Sequence, residues 1–178
     1  MVTGPNGVGK TTLLRVLAGF IPHDAGKIIL ECAEQNASLA QSVHFVGHRD
    51  GLRAALTVRE YLDLVPAVLG QSGASISDAA TALNLKALLD LPVGILSAGQ
   101  RRRTALARLL VSWRPVWLLD EPTAALDTAS QAMVAALISA HIEGGGIVIA
   151  ATHLDLGVKA RELVVQSDGS HVMREASR

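Results

Sequence analysis

Apolar residues follow two patterns along this chain, one with the spacing of helices and one in short continuous runs. They recur at helical spacing from Leu13 to Ala18, and Gly19 follows as a stop signal, so the pattern predicts a helix of about two turns. The runs VWLLD (116–120) and IVIAATH (147–153) are continuous, which is typical of strands buried on both faces. Strands and helices therefore alternate in the second half, which predicts an α/β fold around a parallel sheet.

The remaining pattern predicts a core with a helical insertion. Two short β-type runs, KIIL and SVHFVGH, come before it. Thr57 and Glu60 then stand at capping-box spacing ahead of more helical pattern, so residues 57–93 are predicted as a helical subdomain between the core segments 1–56 and 94–178. Further helices are predicted at residues 97–113 and 129–142, and the last stretch, DGSHVMREASR, is predicted to be a hairpin remnant with a frayed tail.

Composition narrows the class of protein. The chain has 178 residues, of which 49% are hydrophobic, and this is enough to bury one sizeable core. Lys and Arg together number 16, as do Asp and Glu, so no global charge favours nucleic acid or an anionic membrane surface. The single cysteine, Cys32, excludes an internal disulfide, and no apolar run has the length of a membrane span. We therefore expect a reducing compartment and a position outside the lipid.

The segment GPNGVGKT, close to the start, contains the first candidate chemistry. Gly4, Gly9, Lys10 and Thr11 fit the pattern G-x-x-x-x-G-K-[ST]. In this pattern the glycines let backbone N–H groups converge on phosphate oxygens, the lysine reaches the β and γ phosphates, and the hydroxyl ligates Mg²⁺. The alternative is a glycine-rich turn with an incidental lysine, but the helix predicted directly after the loop favours a phosphate site.

A second element, VWLLDEP, indicates hydrolysis rather than binding alone. The apolar run places Asp120 at the carboxyl end of a strand, where it can hold the Mg²⁺ shell, and Glu121 beside it can orient or deprotonate the attacking water. Adjacent carboxylates at a strand end are common by themselves. Together with Lys10, they predict the hydrolysis of a nucleoside triphosphate.

The stretch LSAGQRRR begins a helix and offers a second anion site. Ser97 and Gln100 have the spacing of a capping box, and the Ser97 hydroxyl with the free N–H groups of that first turn also suits a γ phosphate. Both interpretations can hold together. Because the chain is otherwise neutral, we interpret Arg101, Arg102 and Arg103 as a solvated helix face that pairs with phosphates or carboxylates, rather than as a nucleic-acid patch.

In combination these segments resemble the nucleotide-binding subunit of ATP-binding cassette (ABC) transporters, over essentially the whole chain. GPNGVGKTT resembles the phosphate loop of that family, LSAGQ its signature with alanine for the commoner glycine, and DEP its second carboxylate motif. AALD (124–127) resembles its D-loop, and His153 its switch histidine. The resemblance implies a P-loop NTPase of the ABC type with a three-layer core, ATP and Mg²⁺ as cofactors, and a head-to-tail homodimer that closes on ATP.

The roles of the family's residues carry over onto matching positions. Glu121 and His153 are implied as catalytic, and so is His48, which stands where most members have a glutamine that touches Mg²⁺ or the attacking water. Protonation of this histidine would make the contact pH-sensitive. Thr11, Asp120 and His48 are the implied metal ligands. The implied nucleotide contacts are Gly4, Pro5, Asn6, Gly7, Val8, Gly9, Lys10, Thr11, Thr12, Ser97, Ala98, Gly99, Gln100 and Asp127. The resemblance implies that the signature residues among them contact the nucleotide bound to the partner chain.

A narrower resemblance rests on GHRDGL, LPVGILSAGQRRRTALARLL and WLLDEPTAALD. These stretches are similar to the ATP-binding subunits of heme exporters used in bacterial cytochrome c maturation. The similarity implies docking on integral membrane subunits at the cytoplasmic face of the inner membrane, with ATP hydrolysis coupled to heme delivery or to release of a heme chaperone. No heme-ligation motif occurs, and His44, His48 and His153 are explained without heme, so direct heme binding is not expected.

Two alternatives to this function stay open. One is an ATPase that serves another ABC exporter or lipoprotein release. The other is a truncated subunit that binds nucleotide without hydrolysing it. A nucleic-acid partner is not expected for any of them, because the chain has no basic excess.

The chain departs from the family at its front, where members have an antiparallel β region with an aromatic residue that stacks on adenine. Only Met1 to Thr3 precede the loop, and the first aromatic residue, Phe20, lies beyond it. We therefore expect an unpaired neighbour in the central sheet and an exposed apolar edge. A start site placed too late is favoured over a natural truncation with weakened adenine binding, because Glu121, His153 and the signature are intact.

Overall fold

The computed structural model describes residues 1–31, 39–70, 73–166 and 170–175. The strands in these ranges are β1 (Val2–Thr3), β2 (Val43–Val46), β3 (Val116–Asp120), β4 (Ile147–Ala151), β5 (Arg161–Val165) and β6 (His171–Glu175). The α-helices are α1 (Lys10–Leu17), α2 (Leu39–Ser42), α3 (Val58–Leu69), α4 (Ile76–Ala82), α5 (Ala98–Val111) and α6 (Thr128–Glu143), with short 3-10 helices at Lys86–Leu88 and Val93–Ile95. In these same ranges, no helix combines the length and the apolarity that crossing a membrane requires.

The order of strands in the sheet determines which strands end side by side. That order is β2-β3-β4-β1-β5-β6, parallel from β2 through β5, with β6 antiparallel to β5. Asp120 pairs with Ala151, and Ala151 pairs with Val2, so β3, β4 and β1 end side by side. Because the carboxyl ends of parallel strands meet at one edge, the three segments that follow these strands are brought together there.

Strand β3 is buried on both faces, as its continuous apolar run predicts. Val116 and Leu118 belong to one hydrophobic cluster with Leu14 of helix α1. Trp117 and Leu119 belong to the other cluster, which includes residues of α5 and α6. Helices therefore cover the sheet on both sides, and the predicted three-layer α/β core is confirmed.

Helices α3 and α4 occupy the predicted insertion. Helix α3 begins at the predicted capping box, in which the Glu60 N–H donates to Thr57 Oγ1 at 3.1 Å and the Thr57 N–H donates to Glu60 Oε2 at 2.8 Å. The reciprocal bonds satisfy two N–H groups that a helix start leaves unpaired. The division of the chain into a core and a separate helical subdomain stays a prediction.

One prediction about strands is wrong, and another holds in part. Residues 27–30, the run KIIL, form no strand, and Ile29 is 73% exposed, because within the described ranges this run has no neighbouring strand to pair its backbone. The expected unpaired neighbour is present in part: Val2 of the short β1 pairs with Ala151 and Leu163, but within the described ranges residues 147–150 of β4 pair with β3 alone, and Ile147 is 45% exposed. The predicted hairpin remnant is present as β6 against β5, while its residues 168–169 and 176–178 lie outside the described residues, as does Cys32.

A buried histidine in β2 predicts that the stability of the fold is sensitive to acid. His44 is 1% exposed, and its Nε2–H donates to the Ser112 carbonyl at 2.6 Å. Burial, assisted by the positive charges of Arg108 and Arg114, lowers the pKa of His44 from 6.5 to about 4. The hydrogen bond to Ser112 acts in the opposite direction and raises this pKa. Below pH 6.5 the unfolded chain binds a proton that the folded chain does not bind until about pH 4. We therefore expect the free energy of unfolding to fall by about 2 kcal/mol between pH 7 and pH 5, measured by urea unfolding.

The matched control for this prediction is His44→Gln. The glutamine amide keeps a donor for the Ser112 carbonyl but does not titrate, so the His44→Gln chain should lose less stability over the same pH range. Burial also lowers the pKa of His141, but this residue is present in both chains and contributes the same loss of stability to each. An identical loss in the two chains would contradict the assignment of acid sensitivity to His44.

Candidate active site

A cleft of about 490 Å³ lies at the carboxyl edge of the sheet, where the segments after β1, β3 and β4 meet. Its walls come from the loop between β1 and α1, the first turn of α1, the segment after β2 and the ends of β3 and β4. The lining residues are Asn6, Gly7, Gly9, Lys10, Thr11, Thr12, His48, Asp120, Glu121 and His153.

The loop between β1 and α1 takes its shape from three glycines. Gly4, Gly7 and Gly9 have φ angles of 141°, 80° and 103°, a region that other residues rarely adopt. At Gly4 a Cβ would also lie 2.3 Å from the Val165 carbonyl oxygen of the neighbouring strand. Gly9 is the N-cap of α1 and supplies no side-chain cap, so the N–H groups at this helix start remain available to an anion.

Lys10 is held inside this loop. The side chain is only 8% exposed, and its Nζ donates to the carbonyls of Gly4 at 2.7 Å and Pro5 at 3.0 Å. The same Nζ lies 3.4 Å from His153 Nε2. The ammonium therefore sits between the loop and the segment after β4, where a bound phosphate would meet it.

Thr11 and Asp120 form the part of the cleft that suits a hard cation. The Thr11 hydroxyl donates to Asp120 Oδ2 at 2.9 Å, and Asp120 is 4% exposed at the end of β3. A hydroxyl and a carboxylate are oxygen ligands, which Mg²⁺ prefers, and Mg²⁺ is commonly held by one or two such groups together with substrate phosphates. Within the described parts of the chain no group of three or more His, Cys, Asp or Glu could hold a metal ion by itself. The residues present fit Mg²⁺ bound together with a phosphate substrate.

Glu121 and His153 face each other across the cleft. His153 Nε2 lies 3.7 Å from Glu121 Oε1 and 2.9 Å from Asn6 Oδ1, to which it donates when protonated on that nitrogen. Glu121 has a φ of 49°, an unusual conformation for a residue with a side chain. Its N–H donates to the Ala151 carbonyl at 2.8 Å, and its own carbonyl accepts from the Ala124 N–H at 3.1 Å. These bonds hold the strained residue so that its carboxylate reaches the cleft.

His48 lies on the rim of the same cleft, two residues after β2. The side chain is exposed, so it is accessible to water or a ligand. Six of the ten lining residues come from the loop between β1 and α1 and the first turn of α1, and the other four come from the segments at the ends of β2, β3 and β4. All three predicted catalytic residues, Glu121, His153 and His48, are among the residues that line it.

The predicted signature residues lie outside the cleft of their own chain. Ser97 and Ala98 are exposed at the start of α5, where Ser97 Oγ accepts from the Gln100 N–H at 3.2 Å. Gly99 packs close to the segment 124–127, since a Cβ at Gly99 would lie 3.0 Å from the Ala125 carbonyl oxygen. Asp127 caps helix α6 by accepting from the Ser130 N–H at 2.8 Å, and hydrogen bonds to Ser130 lower the pKa of Asp127. Gly4, Pro5 and Val8 shape the loop without lining the cleft.

Arg102 is a residue of this region that the sequence interpretation missed. It is 3% exposed, so the prediction of a solvated arginine face is wrong at this position, although the predicted pairing with a carboxylate is present at Asp50. The reason is the helical face: Arg102 shares it with Ala105, Leu106 and Leu109, which are all buried. That spacing of three, four and seven residues was the available signal in the sequence.

The chain is similar in sequence to ATP-binding proteins of one transporter family. The sequence profile of the ABC transporter family matches residues 1–124. The cytochrome c biogenesis ATP-binding export protein CcmA of Nitrobacter winogradskyi is 52% identical over 162 residues, which cover 91% of this chain and 81% of that protein. The protein of the same name from Mesorhizobium japonicum is 47% identical over 164 residues, covering 92% of this chain and 82% of that protein.

Solved structures show the same fold. The dimeric structure of MJ0796, a bacterial ABC transporter cassette, has a TM-score of 0.79 at 25% sequence identity and covers 98% of this chain and 83% of that one. A post-hydrolysis state of the same cassette bound to ADP and Pi has a TM-score of 0.81 at 24% identity, which bears on the fold alone. With the family profile and relatives near 50% identity over most of its length, the chain belongs to the ABC transporter family, as an ATP-binding domain.

Proposed function

We propose that this chain is the ATP-hydrolysing subunit of an ABC exporter that serves c-type cytochrome biogenesis, of the heme-exporter kind. The observation that carries the proposal is the identity of about half of the residues, over nine-tenths of the chain, with proteins named cytochrome c biogenesis ATP-binding export proteins. Hydrolysis is supported by the cleft, in which Lys10, the Thr11–Asp120 pair, Glu121 and His153 face one space.

The geometry supports attack of water on the γ phosphate of ATP. The loop amides and the Lys10 ammonium bind the phosphate oxygens and compensate the charge that develops in the transition state. The Glu121 carboxylate orients the water and takes its proton. The His153 imidazole, whose Nε2 lies 3.7 Å from Glu121 Oε1, contacts the γ phosphate. Mg²⁺, when bound, neutralises charge on the phosphate oxygens, and Thr11 and Asp120 would hold it.

His48 has two predicted roles, and its chemistry favours one of them. Mg²⁺ prefers oxygen ligands, whereas imidazole nitrogen suits softer metals such as zinc. An exposed imidazole on the rim of the cleft can still donate to or accept from a water molecule. We propose contact with the attacking water, rather than with the metal, as the role of His48.

The proposed assembly is a head-to-tail homodimer docked on integral membrane subunits at the cytoplasmic face of the inner membrane. Ser97 and Ala98 are exposed and absent from the cleft of their own chain, which leaves them free to close the cleft of a second copy. A related cassette of the same fold is dimeric. Heme itself and nucleic acid are not among the proposed ligands of this chain.

Complementation tests the proposed function. In a bacterial host whose own ATP-binding subunit for this pathway is deleted, the wild-type chain should restore covalently attached heme in c-type cytochromes, measured by heme staining of gels. The Glu121→Gln chain should not restore it, because hydrolysis is lost. Glu143→Gln changes an exposed glutamate at the end of α6 in the same way and should restore it as wild type does.

Each other outcome selects an alternative. A chain that hydrolyses ATP in solution but never restores the cytochromes, even with membrane partners from its own organism, serves another exporter. A Glu121→Gln chain that restores them as well as wild type acts as a subunit that only binds nucleotide.

A further inference from the structure

Arg102 is a buried charge whose hydrogen bonds are complete. It lies on helix α5, about one and a half turns after Ser97. A guanidinium has five N–H groups in a planar fork, and a buried charge is costly unless its donors are paired. Here Nε, Nη1 and Nη2 make one, two and two hydrogen bonds, so every N–H group has an acceptor.

One side of the guanidinium binds the end of strand β3. Nη2 donates to the carbonyls of Asp120 at 2.7 Å and Glu121 at 2.8 Å, and Nε donates to the Pro122 carbonyl at 3.1 Å. Three consecutive peptide groups are thereby fixed around Glu121, the residue with the strained φ of 49°. The direction of the Glu121 side chain follows from that backbone conformation.

The other side of the guanidinium binds the segment after β2. Nη1 donates to the Gly47 carbonyl at 2.8 Å and to Asp50 Oδ1 at 3.0 Å. These two residues flank His48 on either side. The Arg102 and Asp50 side chains are 4% and 22% exposed, so their ion pair is largely shielded from water.

We propose that Arg102 is a positioning residue for ATP hydrolysis. It holds the peptide of Glu121 at a set distance from the segment of His48, and it ties both to the helix that starts with Ser97. Arg102 does not line the cleft and therefore acts on the reaction through Glu121 and His48. This inference rests on the proposed hydrolysis of ATP in the cleft.

The neighbouring arginine provides a matched comparison. Arg103 lies on the same helix, and its Nη1 donates to the carbonyls of Leu83 at 2.8 Å and Asn84 at 2.9 Å, after helix α4. Arg103→Gln thus removes an arginine that binds backbone carbonyls away from the cleft. A purely structural role for Arg102 predicts equal effects of Arg102→Gln and Arg103→Gln on catalysis, once both chains are shown to be folded.

The test is the steady-state hydrolysis of Mg·ATP by the full chain, with nucleotide affinity measured separately by a fluorescent ADP analogue. In Arg102→Gln, kcat should fall by about 10- to 100-fold, because small displacements of catalytic groups are costly, while the affinity changes by less than about twofold. Arg102→Lys should not recover kcat, since lysine has three donors and no fork. Arg103→Gln should keep kcat within about twofold of wild type.

A second pair of variants serves if Arg102→Gln does not fold. Asp50→Asn removes the charge that Arg102 pairs with, at a partly exposed site, and should lower kcat by about 3- to 10-fold. Asp90→Asn breaks the exposed Arg59–Asp90 pair, whose atoms are 2.8 Å apart, and should leave kcat unchanged. Equal kcat values in Asp50→Asn and Asp90→Asn would overturn the proposal.

A double-mutant cycle separates positioning from independent effects. If Arg102 acts through Glu121 and His48, then Arg102→Gln should lower the residual rate of a chain that carries both Glu121→Gln and His48→Ala by less than about twofold. Additive losses would overturn the proposed role of Arg102 but not the proposed function. Equal kcat losses in Arg102→Gln and Arg103→Gln would do the same. A wild-type chain that hydrolyses no more ATP than Glu121→Gln overturns the proposed function, and the role of Arg102 with it.

Discussion

Replacing Glu121 with glutamine is expected to lower kcat for ATP hydrolysis by about 10²- to 10³-fold. The amide occupies nearly the same volume and can still hydrogen-bond a water molecule, but it does not accept a proton at neutral pH. The lining loop, Lys10 and the Thr11–Asp120 pair are unchanged, so ATP should still bind. Binding without turnover should let the ATP-bound dimer accumulate.

The measurement combines steady-state turnover with size-exclusion chromatography in Mg·ATP. Wild type should elute mainly as a monomer under turnover, and Glu121→Gln should elute as a dimer when ATP is present. Glu143→Gln makes the same chemical change at an exposed residue of α6 and should behave as wild type. Turnover that survives Glu121→Gln within about threefold would show that another group activates the water, and His48 or His153 would be tested next.

Much of the cleft was predictable because it depends on local order along the chain. A phosphate loop lies before a helix, and Asp120 ends a buried run, so both are placed by the strand that precedes them. Parallel strands with helical crossovers bring such strand ends to one edge. The positions of Lys10, Asp120, Glu121 and His153 relative to the sheet therefore followed from pattern and strand order.

Other features depend on contacts between distant segments. The run KIIL has the composition of a strand, but composition does not specify whether a partner strand is adjacent. Strand β1 has only two residues, and its pairing with both β4 and β5 is a long-range contact that no local pattern indicates. Arg102 looked like part of a charged surface run, and its burial depends on carbonyls that come from β3 and from the segment after β2.

The nucleotide contacts proposed for the signature and for Asp127 could not be predicted from one chain. Within one chain, Ser97 and Asp127 cap helices by accepting hydrogen bonds from backbone N–H groups, and local sequence predicts such caps well. Their proposed contacts with nucleotide belong to a second chain. Neither the sequence pattern nor the fold of one chain specifies the geometry of that contact, so this part of the site is inferred from the family relationship.

Replacing Lys10 with methionine is expected to weaken ATP binding by about 10- to 100-fold. The ammonium faces the space where the phosphates bind, and a charge-assisted hydrogen bond contributes about 1.5–3 kcal/mol, which corresponds to that range. Methionine retains a long, flexible side chain in the buried position of Lys10, so the fold should persist. Affinity is measured by titration with a fluorescent ATP analogue, with circular dichroism to verify folding.

The Lys10 and Glu121 variants together distinguish binding from chemistry at this site. Lys10→Met should lose affinity and turnover together, whereas Glu121→Gln should lose turnover alone, because the ammonium meets the phosphates and the carboxylate meets the water. Lys86→Met removes an exposed lysine in a 3-10 helix and should change neither. A Lys10→Met chain that binds ATP as tightly as wild type would mean that the loop amides alone hold the phosphates, and that the buried ammonium chiefly stabilises the loop through the carbonyls of Gly4 and Pro5.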